Sequence, residues 1–289
     1  MSKITRILSV DLGNYNTKTS NKVLFESRFE EGNAEAFDGQ DILEFNDKRY
    51  LMEKGIWDLD YDKANKDYMP CLLTAIAKSF PRLNNITGLG IVLGLPLNQL
   101  KNKDKIIEEL EGNTFKFTFN NKEKTVEFVK VGVIGEGFSS IYTLTETERQ
   151  ESILLVDIGG RTINIVEYEN GNVQTTNTLS FGMYNFYKDV QTELLSGKAV
   201  SIEKVRGLVE KKKVNEAAVV KLKEKFVANL VNNLKPHNPE FKEIYFTGGG
   251  AMTLKKELQE AYKNANFLND LLFSNVLGNK LLADTIWGE

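Results

Sequence analysis

Cysteine and histidine are almost missing from this chain, which has one of each, Cys71 and His237. A single cysteine excludes an intrachain disulfide and a zinc site built from several thiolates. Cys71 stands in an apolar stretch that predicts a helix, so we expect it to pack as a small hydrophobic residue. His237 lies between Pro236 and Asn238 without a nucleophile motif around it. We therefore expect a solvated loop residue rather than a member of a catalytic triad.

Long apolar runs and a strong charge of one sign are also missing. No run reaches the length that a membrane span needs, and residues 1–7 lack the apolar core of a signal sequence. These absences predict a cytoplasmic protein with no membrane partner. The formal net charge of −3 argues against direct binding of nucleic acid through a basic surface. The short basic run at 210–213 has acidic neighbours and fits a solvated helix end.

The remaining composition is that of an ordinary globular protein. Hydrophobic residues make up 41% of the chain and charged residues 27%, which is typical of soluble globular domains. A length of 289 residues fits one large domain or two medium ones.

One short pattern occurs twice, at positions 146 residues apart. In each copy an apolar run (Ile7 to Val10; Ile153 to Val156) leads into aspartate, a glycine turn and a second strand-like run. This order predicts a buried strand, a tight turn and a returning strand. Two copies at equivalent places indicate a duplicated domain. The copies are Val10-Asp11-Leu12-Gly13-Asn14-Tyr15-Asn16-Thr17-Lys18 and Val156-Asp157-Ile158-Gly159-Gly160-Arg161-Thr162-Ile163-Asn164.

Such turns are suited to binding phosphate. Glycine lets the backbone approach a ligand closely, and successive N–H groups in a tight turn form a concave anion site. Lys18 can add a positive charge for a β- or γ-phosphate, and the carboxylates of Asp11 and Asp157 suit Mg²⁺ held through water. Either copy alone could be an ordinary hairpin, but the repetition favours a polyphosphate site. The predicted ligand contacts are Gly13, Asn14, Tyr15, Asn16, Lys18, Gly159, Gly160, Arg161 and Thr162.

A third glycine cluster lies between the strand-like run Glu243 to Thr247 and the helical stretch Met252 to Ala261. Three glycines in a row leave a flat backbone surface, open to a purine ring or an α-phosphate near a helix N-terminus. The alternative is a plain flexible turn, for which three glycines are entropically costly. The predicted contacts here are Gly248, Gly249, Gly250 and Met252.

These motifs resemble those of the actin, Hsp70 and sugar-kinase superfamily. The two repeated patterns are similar to its two phosphate loops, and Gly248 to Ala251 is similar to its adenosine loop. Gly135 to Tyr142 resembles the first connecting helix, and Leu272 to Asn279 resembles the second connector. The five motifs follow the family order over nearly the whole chain. The small size and the C-terminal motif are most similar to the ParM (StbA) group of bacterial plasmid-segregation actins.

The resemblance implies an α/β, actin-like fold: a duplicated ribonuclease H-like ATPase with two lobes around a nucleotide cleft. We expect residues 1–134 and 270–289 in lobe I and residues 135–269 in lobe II. The C-terminal helix, Asn275 to Trp287, would return to the first lobe. The implied cofactors are ATP, with GTP as an alternative, and Mg²⁺.

Two features depart from the ParM pattern. Only 91 positions separate Asp157 from Gly248, so we expect a reduced or absent nucleotide-covering subdomain in lobe II, as in the AlfA-like branch. This leaves Glu203 and Lys204 as candidates for holding the ribose. Arg161 stands where the family more often has threonine or serine, and it could contact a phosphate or point to solvent.

Phosphoanhydride hydrolysis depends on an oriented water and on neutralised charge. The resemblance places Glu136 where actins position the attacking water, and a carboxylate can accept a hydrogen bond from that water. The alternative for Glu136 is a favourable interaction with a helix macrodipole. Asp11 and Asp157 complete the predicted catalytic set.

The function implied by the resemblance is that of an ATPase that polymerises into filaments. The filaments would segregate plasmid DNA through a DNA-binding adaptor. A small-molecule kinase of the same superfamily is the alternative, and a nucleotide-binding scaffold with negligible turnover is a third hypothesis.

Outside these motifs the sequence predicts mixed α and β structure. Hairpins are predicted at Asn46-Asp47, Asn120-Asn121 and Asn170-Gly171. A buried strand is predicted at Gly90 to Pro96. Helices are predicted over 68–80, 98–111, 137–145, 183–195, 202–211 and 215–234.

Overall fold

The computed structural model describes residues 3–32, 35, 37–58 and 66–288. Two compact units make up the chain: unit 1 is Met1–Thr143 with Phe273–Glu289, and unit 2 is Leu144–Leu272. The lobe boundaries expected from the sequence, 134/135 and 269/270, precede those of the units, 143/144 and 272/273. No helix in the described ranges is long and apolar enough to cross a membrane.

The strands in chain order are β1 (Arg6–Leu12), β2 (Asn16–Thr19), β3 (Leu24–Glu26), β4 (Arg28–Glu31), β5 (Ile42–Phe45), β6 (Lys48–Trp57), β7 (Asn85–Leu95), β8 (Thr114–Phe119), β9 (Lys122–Gly135), β10 (Ile153–Ile158), β11 (Ile163–Glu169), β12 (Asn172–Leu179), β13 (Glu243–Thr247) and β14 (Asn266–Phe267).

The helices are α1 (Met69–Ser79), α2 (Lys103–Leu110), α3 (Met183–Leu194), α4 (Ile202–Glu210), α5 (Glu216–Leu234), α6 (Gly248–Thr253), α7 (Lys255–Ala261) and α8 (Ser274–Trp287). Short 3₁₀ helices lie at Leu97–Asn102, Ser139–Thr143, Glu148–Gln150, Lys235–His237 and Pro239–Phe241.

Unit 1 contains a nine-stranded sheet in the order β3-β2-β1-β7-β9-β8-β5-β6-β4. Strands β1, β7 and β9 run parallel, whereas β1 and β2 form an antiparallel hairpin. The strands at the two ends of this order, β3 and β4, are separated in sequence only by Ser27. Helix α1 supplies fully buried side chains to the core, among them Leu72, Leu73 and Ile76.

Unit 2 contains a five-stranded sheet in the order β12-β11-β10-β13-β14. Strand β10 is antiparallel to β11 and parallel to β13. Every residue of β10 is buried, as expected for a strand with both faces covered. In both units, therefore, the central strand has an antiparallel neighbour that follows it in sequence and a parallel neighbour on its other side: β2 and β7 for β1, and β11 and β13 for β10. This repetition confirms the predicted duplicated α/β fold.

The three predicted hairpin turns are confirmed. Asn46 and Asp47 have φ of 51° and 61°, and Asn120 and Asn121 have φ of 49° and 62°. Asn170 and Gly171 have φ of 51° and 73°. Asparagine, aspartate and glycine tolerate this left-handed region better than other residues do, and a two-residue hairpin turn needs it.

The predicted helix over 137–145 is wrong. The structure has only the 3₁₀ helix Ser139–Thr143 there, and Gly137, at φ 81°, has a left-handed conformation that is incompatible with the first turn of a right-handed helix. The predicted helix over 98–111 begins as the 3₁₀ helix Leu97–Asn102 and becomes α-helical at Lys103.

Helix α8 belongs to unit 1, as expected, and packs against β1, β7 and the 3₁₀ helix Ser139–Thr143. Its last aromatic residue, Trp287, covers two glycines of the sheet. A Cβ atom on Gly90 would lie 3.1 Å from the indole of Trp287, and one on Gly132 would lie 2.9 Å from it. The two glycines therefore make room for the helix to pack on the sheet.

The single cysteine, Cys71, and the single histidine, His237, are both largely buried. Cys71 is 6% exposed, which confirms the predicted core position, and burial raises the pKa of its thiol to about 12. The expectation of a solvated His237 is wrong. Its side chain is 11% exposed, and its Nδ1 lies 2.6 Å from Oε1 of Glu167.

Candidate functional site

The first repeated pattern forms the turn between β1 and β2. Gly13 stands where a Cβ atom would lie 2.6 Å from the carbonyl oxygen of Asn16, so the turn admits no side chain at that point. Asp11 at the end of β1 is 6% exposed and lies opposite Lys18 on β2. The Lys18 Nζ to Asp11 Oδ2 distance is 2.8 Å. The lysine that the sequence assigns to a phosphate is therefore paired with the Asp11 carboxylate of its own hairpin in this structure.

Side chains between Asp11 and Lys18 also contact other parts of unit 1. Asn14 Oδ1 accepts a hydrogen bond of 2.5 Å from Nζ of Lys66. Tyr15 is 7% exposed, and its ring centroid lies 4.5 Å from that of Trp57. The Tyr15 ring therefore belongs to the core, although the sequence suggested it as a ligand contact. Asn16 is the first residue of β2 and is half-buried.

Glu136 lies close to this turn in the fold of unit 1. Strands β1, β7 and β9 are parallel neighbours, so their carboxyl ends meet at one edge of the sheet. The Glu136 N–H donates to the carbonyl of Leu95 at the end of β7 (2.7 Å). A Cβ atom on Gly94 would lie 3.4 Å from Cγ of Glu136. Asp11, near the end of β1, and Glu136, directly after β9, thus belong to the two strands that flank β7.

A buried polar cluster holds the segment that carries Glu136. Asn275 on α8 accepts a hydrogen bond from the Gly137 N–H (3.1 Å) and another from the Ser140 hydroxyl (2.5 Å). The Ser139 hydroxyl donates to the side chain of Asn279. A Cβ atom on Gly278 would overlap the carbonyl of Ser139, so helix and segment are in backbone contact. The two connectors expected from the sequence are therefore packed directly on each other.

The second repeated pattern forms the turn between β10 and β11. The Gly159 N–H donates to the Thr162 carbonyl (3.0 Å), and a Cβ atom on Gly159 would lie 2.9 Å from that oxygen. The same crowding of a glycine against the carbonyl three residues ahead occurs at Gly13. Thr162 is buried, and the buried Asn164 accepts a hydrogen bond of 3.0 Å from the Thr178 hydroxyl.

The start of α3 fastens this second turn. The Met183 N–H donates to the Gly159 carbonyl (3.0 Å), and the Tyr184 N–H donates to the Gly160 carbonyl (2.8 Å). A Cβ atom on Gly182 would lie 2.7 to 2.9 Å from backbone atoms of the turn. Sequence reasoning missed Gly182, and its only signal was a glycine directly before a predicted helix.

Arg161 lies over the aromatic ring of Tyr184, with 5.0 Å between its Cζ and the ring centroid. Its Nε atom is buried and has no hydrogen-bond partner. Within the described parts of the chain, Arg161 forms no ion pair. The sequence left open whether this residue points to solvent or contacts a phosphate, and the structure stacks it on α3.

The glycine cluster is packed against Asp157, which is 5% exposed at the end of β10. Gly248 has φ of 87°, and a Cβ atom there would overlap Oδ1 of Asp157 and lie 2.6 Å from the Ile158 carbonyl. The sequence predicts that the three glycines form a turn before a helix. That prediction is wrong in detail, because they are the first residues of α6. Gly249 faces more open space, and Met252 is 49% exposed.

No cluster of three or more potential metal-ligating side chains was found among the described residues. Mg²⁺ commonly keeps several waters and takes ligands from substrate phosphates with only one or two carboxylates. Asp11 and Asp157, each buried at the end of a central strand, fit that limited protein contribution.

Family models match both units. The N-terminal domain of actin-like proteins matches residues 9–138, and the C-terminal domain of the archaeal MreB-like actin homologue matches residues 155–260. The chain belongs to the actin-like protein family. Among curated protein sequences, none matches this actin-like protein.

Solved structures of other proteins have the same fold as this actin-like protein. Ta0583, an archaeal actin homologue, has a TM-score of 0.81 at 16% identity, over 96% of this chain and 99% of that one. ParM in a 15-stranded filament from Clostridium botulinum has a TM-score of 0.80 at 20% identity, over 99% and 100% of the two chains. AlfA in a filament bound to AMPPNP has a TM-score of 0.67 at 16% identity, over 99% and 98%.

The stretch between the second phosphate-loop pattern and the glycine cluster is helical in this actin-like protein. After β12 it consists of α3, α4 and α5 with two short 3₁₀ helices before β13. Glu203 and Lys204, the candidates for the ribose, lie in the first turn of α4, with Glu203 half-buried and Lys204 exposed.

Proposed function

We propose that this actin-like protein is an ATPase that polymerises with bound nucleotide and segregates plasmid DNA through a DNA-binding adaptor. One observation carries the proposal: the turns after β1 and β10 share a sequence pattern and a local geometry. In each, a glycine is pressed against the carbonyl three residues ahead, at Gly13 and at Gly159. A crowded glycine turn of this kind exposes backbone N–H groups that suit phosphate oxygens.

Each unit has a part in this proposal. The turn of unit 1 and the turn of unit 2 both bind the polyphosphate of ATP or GTP, and the first turn of α6 lies beside the nucleoside. Asp11 and Asp157 are the residues that would hold Mg²⁺, through water. Bound Mg²⁺ would neutralise charge that develops on the phosphates.

Glu136 is the residue that we assign to the attacking water. It follows β9, next to the end of β7 and beside Gly94. A carboxylate there can accept a hydrogen bond from water and orient it toward the terminal phosphate. Asn275 accepts a hydrogen bond from the Gly137 N–H and so fixes the backbone from which the Glu136 side chain extends.

The filament structures of relatives support self-association, and the adaptor is part of the proposal through the resemblance to plasmid-segregation actins. ParM and AlfA were solved as filaments, and Ta0583 was solved in complex with ADP. The net charge of −3 disfavours direct binding to DNA, so a separate DNA-binding protein would link the filament to the plasmid.

Sedimentation and electron microscopy test the proposal directly. We expect the purified protein to pellet as filaments with ATP or GTP and Mg²⁺, and to remain in the supernatant without nucleotide. Turnover that a small hydroxylated acceptor stimulates, with no pelleting, would instead identify a small-molecule kinase. Absence of nucleotide binding in calorimetry would refute both functions.

Substitution of Glu136 tests the hydrolytic role. We expect Glu136→Ala to slow phosphate release about 100-fold, the usual effect of removing a group that handles a proton or orients water. Nucleotide affinity should stay within about threefold, since the loss affects the transition state more than the bound substrate. Glu146→Ala is the matched control, because Glu146 is exposed. Unchanged phosphate release in Glu136→Ala would exclude this role.

A further inference from the structure

Arg161 has an unusual environment for an arginine in a loop that we assign to phosphate binding. It lies between Gly160 and Thr162, in a turn whose backbone is fixed by the Gly159 to Thr162 hydrogen bond and by two N–H groups of α3. Those first N–H groups of α3 are already used by the carbonyls of Gly159 and Gly160. The helix start therefore holds the loop in place, and these two N–H groups do not serve an anion at this loop.

The guanidinium of Arg161 is held by a ring and not by a carboxylate. Its Cζ lies 5.0 Å from the ring centroid of Tyr184, and no ion pair to it exists within the described ranges. The Nε–H is buried without an acceptor. A buried unsatisfied donor is unfavourable by about as much as a cation–π contact is favourable, so the stacked position is only weakly preferred.

An arginine in this state is suited to an anionic ligand. Guanidinium presents five N–H donors in a planar fork that matches phosphate oxygens in bidentate fashion. The backbone of a tight glycine turn can reach only the phosphate that sits directly on it. A long side chain from the same turn extends farther, to the next phosphate outward, which in a nucleoside triphosphate carries the largest charge.

From this geometry we propose that Arg161 recognises the terminal phosphate of a nucleoside triphosphate and so discriminates triphosphate from diphosphate. Tyr184 is a positioning residue, which keeps the guanidinium over the loop until the phosphate binds. This inference rests on the proposed nucleotide-binding function and adds to it a specificity determinant in unit 2.

Calorimetric titration with Mg²⁺ and either AMPPNP or ADP tests the role of Arg161. We expect Arg161→Ala to weaken AMPPNP binding about 10- to 100-fold, as for the loss of hydrogen bonds from a charged donor, and ADP binding less than about threefold. Arg161→Lys should recover only part of the loss, since lysine keeps the charge without the fork. The thermal midpoint of the nucleotide-free Arg161→Ala protein should match wild type within about 2 °C, which separates binding from folding.

Tyr184 is tested by a matched pair of substitutions. Tyr184→Phe keeps the ring and should bind AMPPNP as wild type does, whereas Tyr184→Leu removes it and should weaken AMPPNP binding about three- to tenfold. Arg82→Ala is the control for loss of an arginine, because Arg82 is exposed on the connection between α1 and β7.

The possible outcomes separate this inference from the function on which it rests. If wild type binds both nucleotides and Arg161→Ala weakens both equally, or neither, then Arg161 does not recognise the terminal phosphate. If Tyr184→Leu binds AMPPNP as wild type does, Tyr184 is not a positioning residue. If wild type binds neither nucleotide, the proposed function itself fails.

Discussion

Gly248 shows how closely single residues are packed where β10 and β13 end. Its φ of 87° is in the left-handed region, and its α-carbon leaves no space for a methyl group beside the Asp157 carboxylate. A Cβ atom on the adjacent Gly249 would make only an ordinary van der Waals contact, with Cδ2 of Leu272 at 3.6 Å. Of these two neighbouring glycines, the packing therefore requires glycine at 248 and leaves room for a side chain at 249.

This difference predicts opposite effects of the same substitution. Gly248→Ala should lower the free energy of unfolding by about 2–4 kcal/mol, because it adds backbone strain and an overlap with buried atoms. Gly249→Ala should raise it by about 0.5–1 kcal/mol, because alanine is the better helix former. Urea unfolding of both variants measures the two values. Equal effects in the two variants would contradict the assigned packing of Gly248.

At the level of elements, a half-buried polar cluster ties the connection between α5 and β13 to the sheet of unit 2. Glu167 on β11 accepts hydrogen bonds from the Thr175 hydroxyl (2.7 Å) and from Lys242, and its Oε1 lies 2.6 Å from Nδ1 of His237. Lys242 also donates to the His237 carbonyl (2.9 Å). Burial by itself raises the pKa of Glu167, but the bonds from Lys242, His237 and Thr175 outweigh it and lower the pKa to about 2.

This cluster predicts a pH dependence of stability. The ordinary pKa of Glu167 is 4.5 and the folded value is about 2, so the folded state favours the carboxylate. Its stabilising contribution is complete above the unfolded pKa and is lost as the pH falls toward the folded value. Glu167→Gln should therefore cost about 2 kcal/mol of unfolding free energy at neutral pH and progressively less in acid.

Urea unfolding at several pH values down to about 3 measures this change. Glu169→Gln is the matched control, since Glu169 is exposed on the same strand. A Glu167→Gln penalty that did not shrink on acidification would show that the carboxylate charge is not what stabilises the cluster.

At the scale of the whole molecule, the chain is two units, each with a central strand, a glycine turn and a parallel neighbour strand. If both turns bind one nucleotide, ligand binding must protect both units. Hydrogen exchange with AMPPNP and Mg²⁺ should then slow at residues 11–18, 157–164 and 248–252 together. Protection confined to one unit would contradict a shared ligand.

The same binding predicts a thermal shift. A ligand at 100 times its dissociation constant stabilises the folded state by about 2.7 kcal/mol, which for a chain of this size corresponds to roughly 5 °C. Differential scanning fluorimetry with AMPPNP·Mg²⁺ measures it, with adenosine as the ligand that lacks phosphates. An equal shift with adenosine would locate the binding energy outside the two turns.

The sequence by itself determined the features that are encoded over a few residues. The left-handed turns at Asn46-Asp47, Asn120-Asn121 and Asn170-Gly171, the apolar strands and the two aspartate-glycine patterns follow from local conformational preference and periodicity. The two copies of the pattern indicated a duplicated domain, and the family resemblance identified the actin-like fold.

Only the tertiary structure decided which side chains meet. Tyr184 lies under Arg161, and His237 and Lys242 reach Glu167 from 70 and 75 positions away. The segment predicted as the connecting helix forms only a short 3₁₀ helix, and Asn275 on α8 holds its start through the Gly137 N–H. Local patterns set backbone preference, whereas such contacts depend on how the sheet order brings distant segments together, and no short stretch of sequence contains that information.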